Sequence, residues 1–281
     1  MKWANSIGRF YLYSNLHIGL CALFFCLEYS GFGNQKVDYS YFFFIGTSTV
    51  ALYLLHRSIG LAKVKAAQSI DSRYLAINKV IPYYPYLGIL FGGLSTYFLF
   101  QTGLQILPTL LVPLILSVLY VIPFLPNGRR LRDISLIKIF VIALTWTWFS
   151  MWYLVGKIEG TLLGLITVEH FLFILGITLP FDMRDMSIDR NDGVLTLATL
   201  LGKAKSLRLT NILLILSCSL TLVIVFFYSQ STLPLVFYSI LYLALLWFLN
   251  VHISFKRDFY FTGVLDGIIL LKGAIGWLFV I

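Results

Sequence analysis

Apolar residues dominate this chain in long unbroken runs separated by short polar segments. Nine runs are long enough to be read as membrane spans: Tyr11–Glu28, Tyr41–Leu61, Pro82–Phe100, Leu107–Phe124, Ile137–Val155, Leu162–Phe181, Thr210–Tyr228, Leu233–Ile253 and Phe261–Ile281. None alternates apolar and polar residues as a transmembrane barrel strand does, and in lipid a backbone must satisfy its hydrogen bonds internally, so the runs predict helices. Met1-Lys2-Trp3-Ala4-Asn5 offers no small-residue cleavage site, so the first run reads as a retained span. The expectation is an all-α polytopic membrane protein, with one domain over residues 1–281.

Composition agrees: 59% of the 281 residues are hydrophobic and 12% charged, about half the charge of a typical soluble domain. The net charge of +9 does not call for nucleic acid, because its distribution reflects topology. Of the 21 Lys and Arg residues, 18 fall at the N-terminus or in the connections after the second, fourth, sixth and eighth runs. The positive-inside rule places those segments in the cytoplasm, with the C-terminus outside, as in a bacterial inner membrane. Cys21, Cys26 and Cys218 all lie in apolar runs without metal-ligand spacing, and read as inert buried thiols.

One polar stretch breaks the economy of charge. Asp182-Met-Arg-Asp185-Met-Ser-Ile-Asp189-Arg-Asn-Asp192 holds four of the twelve acidic residues in eleven positions, directly after the sixth run. At 100° per residue, Asp182, Asp185 and Asp189 share a helix face. Oxygen-only ligands of this kind suit Mg²⁺, which keeps several waters and binds through one or two carboxylates and substrate phosphates. The plain alternative is a solvated acidic turn.

The continuation Asp189-Arg190-x-x-Gly193-x-x-Thr196-Leu197-Ala198-x-x-Leu201-Gly202 resembles the second aspartate-rich motif of the UbiA superfamily of intramembrane prenyltransferases. That family also has nine transmembrane helices. Tyr120-x-x-Pro123 followed by Arg129-Arg130 is similar to its Tyr-x-Pro and basic segment. The first aspartate motif, aligned on Arg57, is degenerate: its three aspartates become Tyr53, His56 and Gly60, and the loop beyond keeps one acid, Asp71.

The resemblance implies transfer of a prenyl group from a polyprenyl diphosphate to an aromatic or other lipophilic acceptor within the membrane lipid, with Mg²⁺ as cofactor. It implies Asp182, Asp185 and Asp189 as metal ligands, with Asp182, Asp185 and Arg57 catalytic. It implies His56, Arg57, Lys63, Tyr120, Arg129, Arg130 and Arg190 as substrate-binding residues, and fewer Mg²⁺ ions than in the family at large. It specifies neither prenyl length, acceptor nor oligomeric state. Other readings stay open: a relative that binds isoprenoid diphosphate or lipid without turnover, or a small transporter.

Several residues carry two readings. His56-Arg57 is either a donor contact or an interfacial pair ending a span. The aromatic run Thr145–Tyr153 is either a belt at the membrane interface or the wall of a prenyl pocket. Glu169 and His170, costly in lipid, are expected to face the bundle interior as a helix–helix hydrogen bond. Gly92-Gly93 and Gly263/Gly267 read as close-packing positions.

Overall fold

The computed structural model describes residues 2–33, 37–66, 79–122, 124, 126, 130, 131, 134, 136–191, 193–252 and 258–279. Among these there are helices and no strands, and each of the nine apolar runs is helical. The first run is two pieces, α1 (Lys2–Tyr13) and α2 (Leu16–Leu27), bent by 62° where buried Asn15 takes the left-handed conformation at φ 65°. α3 spans Tyr39–Ala66, α4 Tyr84–Thr102, α5 Leu107–Val121 and α6 Ile137–Trp152. α7 (Gly160–Asn191) and α8 (Leu197–Tyr228) are the longest, at 32 residues each. α9 (Leu233–Trp247) continues as a π turn through His252, and α10 (Asp266–Phe279) is preceded by one from Tyr260.

Four of these helices are long and apolar enough to cross a membrane alone, or six if each bent pair is one span. The nine runs of the sequence reading are thus present as helical segments, of which length and composition alone mark four to six as crossings among the described residues. α6 has 16 residues, short of the ~20 a bilayer core requires. α3 is long, but Gly46-Thr47-Ser48-Thr49 dilutes its apolar run and His56-Arg57 ends it. α4 and α5 meet at 98° across Gly103, whose φ of 99° gives the chain its corner.

α2, α6, α7, α8, α9 and α10 close into a ring, each packed on the next and α10 returning to α2. α3 lies outside α2 and carries α4, while α5 leans on α6. The core includes Phe25, Ile166, Phe173, Leu214, Tyr238 and Phe261, all buried. The seam between first and last spans depends on small residues: Gly267, one of those expected, lies where a Cβ would make ordinary contact with the His17 ring at 3.7 Å, and the closest approaches are at two others. A Cβ at Gly273 or Gly276 would collide with the carbonyl oxygens of Phe24 and Glu28, so α10 meets the α2 backbone directly. Gly92 and Gly93 face open space, and a Cβ at Gly263 would meet only the Phe259 ring four residues back on its own helix.

Candidate active site

The Asp-rich end of α7 is shaped by the segment that follows. Gly193 adopts φ 67°, allowing the Val194 N–H to donate to the Asp189 carbonyl at 2.8 Å and close α7. Thr196 then starts α8: its hydroxyl accepts from the Thr199 N–H at 3.2 Å, and its own N–H donates to the Thr199 hydroxyl at 2.8 Å. Gly202, at φ 75°, breaks α8 one turn later. The Gly-x-x-Thr-Leu pattern is thus a helix stop and a helix start that hold the acidic end of α7 against the next span.

The aspartates of α7 reach different neighbours. Asp182 is buried and receives the Lys138 ammonium of α6 at 2.6 Å. Asp185 is clasped by Arg184, with Nε donating at 2.8 Å and Nη2 at 3.0 Å. The third edge of that guanidinium, Nη1, donates to Asp258 at 2.8 Å, just before the last helical segment. The Phe181 and Phe261 rings hold Arg184 at 5.3 and 4.8 Å. Asp189 is half-buried one turn further on, and Arg190 is exposed.

Arg57 joins the cluster through Tyr13. Its Nη1 donates to the Tyr13 carbonyl at 3.0 Å, the Tyr84 hydroxyl donates to the same oxygen at 2.9 Å, and the Tyr13 hydroxyl donates to Asp258 at 3.3 Å. The ends of α1, α3, α4 and α7 and the start of the last span thereby converge. Beside Tyr13, both polar atoms of the Asn15 side chain and Nε2 of His17 are buried without a hydrogen-bond partner. Arg130 is half-buried. Arg129, Asp71, Pro123, Asp192 and the Lys63 side chain lie outside the described residues.

An apolar pocket of about 140 Å³ opens beside this end. Ile45, Thr49, Tyr53 and His56 of α3 line it, with Ser117 and Tyr120 of α5, Trp146 and Phe149 of α6, and Ala22 and Cys26 of α2. The His56 ring sits 6.4 Å from Tyr53 and 6.0 Å from Tyr120. Within the aromatic run of α6, Trp146 and Phe149 face the pocket, whereas Trp148 is exposed and donates to the Thr109 carbonyl at 2.9 Å.

A second ionic cluster lies twelve residues back along α7, about 18 Å away at 1.5 Å per residue. Lys272 of α10 donates to Glu28 at 2.5 Å and to Glu169 at 3.1 Å, and all three are buried. His170 stands 3.2 Å from Glu28 and 3.7 Å from Glu169, with its other nitrogen 2.8 Å from the Ser150 hydroxyl. Ser217, Thr221 and Tyr242 donate to Glu169, and Tyr238 to Glu28. Glu169 and His170 do face inward, as the sequence suggests. Glu28 and Lys272, their partners from the first and last spans, go unrecognised there, as do Lys138 and Asp258. The available signal was intramembrane charge itself: an unpaired Lys272 in an apolar run demands an acid on another helix.

The carboxylates at the Asp-rich end offer oxygen alone, as a hard divalent cation requires, but no three of them are gathered within 4.8 Å of one another among the described residues. The far cluster offers two carboxylates and an imidazole within 4.8 Å of one another, but the Lys272 ammonium already bridges the two glutamates.

A search among curated proteins finds no match. Among solved structures, a UbiA homologue from Archaeoglobus fulgidus bound to GPP and Mg²⁺ superposes with a TM-score of 0.60 at 15% identity, covering 96% of this chain and 99% of that one. A structure described under the biosynthesis of digeranylgeranylglyceryl phosphate synthase in membranes gives 0.58 at 14% identity, covering 98% and 99%. At such identities these matches establish the helical membrane fold. The sequence profile of the UbiA prenyltransferase family matches residues 86–259, well over half the chain. Its matched region includes the Asp-rich end of α7 and the helix stop and start behind it, and this multi-pass membrane protein belongs to the UbiA prenyltransferase family.

Proposed function

We propose that the protein is a single membrane domain over residues 1–281 that transfers a prenyl group from a polyprenyl diphosphate to a lipophilic acceptor. We place its Asp-rich end on the cytoplasmic face of an inner membrane. The observation that carries this reading is an acid-and-arginine cluster beside an apolar pocket whose polar end is His56, the residue before Arg57. Such a pairing suits a molecule with a charged head and a long hydrocarbon tail. The solved relative bound to GPP and Mg²⁺ supports the same choice of donor.

In this reading Asp182, Asp185 and Asp189 would hold Mg²⁺. When bound, the ion neutralises charge that builds on the leaving diphosphate. Arg57, Lys63, Arg129, Arg130 and Arg190 meet phosphate oxygens as charge-assisted donors. His56, standing where the family has an aspartate, contacts the diphosphate without a metal between them. Arg184 is fixed by two carboxylates and two rings, and it orients Asp185. Tyr53, Tyr120 and Trp146 offer π faces to an allylic cation and exclude water from it.

One observation favours a second reading, in which the protein binds the donor without turning it over. Lys138 and Arg184 already neutralise Asp182 and Asp185, where metal-bridged phosphate would have to compete. Binding of farnesyl diphosphate with and without Mg²⁺, followed by turnover on an aromatic acceptor, tests both. Asp185→Asn is expected to lower turnover by about 10² and to abolish the Mg²⁺ dependence of binding, with His56→Ala costing far less. Equal losses would move the site toward α3. Metal-dependent binding without product on any acceptor selects the second reading, and no binding in any form removes both.

A further inference from the structure

The pocket between α3 and α6 is closed at the end remote from His56. There the Tyr41 hydroxyl of α3 donates to the Phe149 carbonyl of α6 at 2.6 Å, and the Phe42 and Tyr153 rings meet at 4.6 Å. Tyr41, Phe42 and Tyr153 are all buried, so this end is a packed aromatic clamp. Phe149 lines the pocket directly above the clamp, and Trp146, one turn away, is pinned edge-on to Phe25 at 5.8 Å. The cavity thus has one polar end and one blocked end. From His56 to Ile45 it follows eleven residues of α3, roughly 16 Å at the helical rise. An extended isoprene unit advances four carbon–carbon bonds of about 1.5 Å each, roughly 5 Å along the chain.

We propose that this pocket is a ruler for the prenyl tail, accommodating about three isoprene units, with Phe149 as its floor. The inference rests on the functional reading above, and adds to it a chain length and the residues that set it. The occupant is an isoprenoid because the lining is mostly apolar, with hydroxyls only at Thr49, Ser117, Thr145 and the two tyrosines, and its His56 end lies next to the arginine and acidic cluster where a diphosphate would sit. Thr49 lies seven residues from His56 on the same helix, about 10 Å away or two units along the ruler.

The test compares binding of geranyl, farnesyl and geranylgeranyl diphosphates, each with Mg²⁺, to the purified protein in detergent. The third unit enters the pocket, so affinity is expected to rise by at least about tenfold from geranyl to farnesyl. The fourth meets the floor, so geranylgeranyl diphosphate should bind no better than farnesyl diphosphate. Phe149→Ala removes the floor while keeping the backbone carbonyl that Tyr41 uses, and should extend the rise to the fourth unit. Thr49→Phe should abolish the gain from the third unit and leave geranyl binding intact. The two variants act in opposite directions, so loss of folding cannot imitate the pair.

A steady rise through geranylgeranyl in the unaltered protein, with neither variant changing the order, would overturn the ruler and leave the functional reading standing. Failure of all three diphosphates to bind would overturn both, and would point to membrane acyl chains as the pocket's occupant.

Discussion

α7 carries an ionic cluster at two levels, and the two are built in opposite ways. At the Asp-rich end, Arg184 and Asp185 keep 14% and 22% of their side-chain surface accessible. The Glu28–Glu169–His170–Lys272 cluster is dry, its members 0% or 1% exposed, with hydroxyls from α6, α8 and α9 completing the hydrogen bonds. A partly hydrated carboxylate can exchange one cation for another, since water shares the cost of the transfer. A carboxylate whose cation is as buried as itself cannot, because an uncompensated charge in low dielectric costs several kcal/mol; Asp182 is buried too, but its partner Lys138 keeps 12% of its side-chain surface accessible. The comparison assigns exchange to one level and fastening to the other. Like chemistry is divided by access to water.

The largest effect expected from breaking that division is at the fastening. Lys272→Met removes the ammonium that bridges Glu28 and Glu169, and should cost about 3–5 kcal/mol of stability or prevent folding, read as thermal unfolding in detergent. Replacing the whole set with Glu28→Gln, Glu169→Gln and Lys272→Met should recover most of the loss. A triple variant as unstable as the single one would mean that the charges hold the ring together on balance.

A smaller effect sharpens the other side. Lys138→Gln frees Asp182 from its 2.6 Å partner, destabilising the protein in metal-free buffer by about 1–3 kcal/mol. Added Mg²⁺ should then raise its melting temperature more than it raises that of the unaltered protein. Equal responses would show that Lys138 and the metal do not compete for Asp182. The smallest expected effect is that of Ser217→Ala, which removes one of three hydroxyls bonded to Glu169 Oε1 and should cost about 1 kcal/mol.

Helices were legible in the sequence because lipid forces the backbone to bond within itself, so long apolar runs leave little choice. The number of crossings was less so, since the corner at Gly103 and the length of α6 decide whether a run spans or turns. Asp182 and Asp185 stood out by their spacing and by the Gly193-to-Gly202 segment behind them. Their immediate partners did not. Lys138 reads as a topology residue until α6 is laid against α7, and Asp258 is an ordinary loop acid until Arg184 reaches it. Glu28 sits at the edge of its run, where charge is routine, and only the approach of α10 through Gly273 and Gly276 makes it interior.

That approach carries a consequence in time. Glu28 and Lys272 are separated by 244 residues, so the first span is synthesised long before its counter-charge exists. Until α10 arrives, the nascent protein holds a carboxyl that has no permanent place in the bilayer. The ring can close only once α10 has been made, and a chain interrupted before Lys272 lacks the ammonium that bridges Glu28 and Glu169.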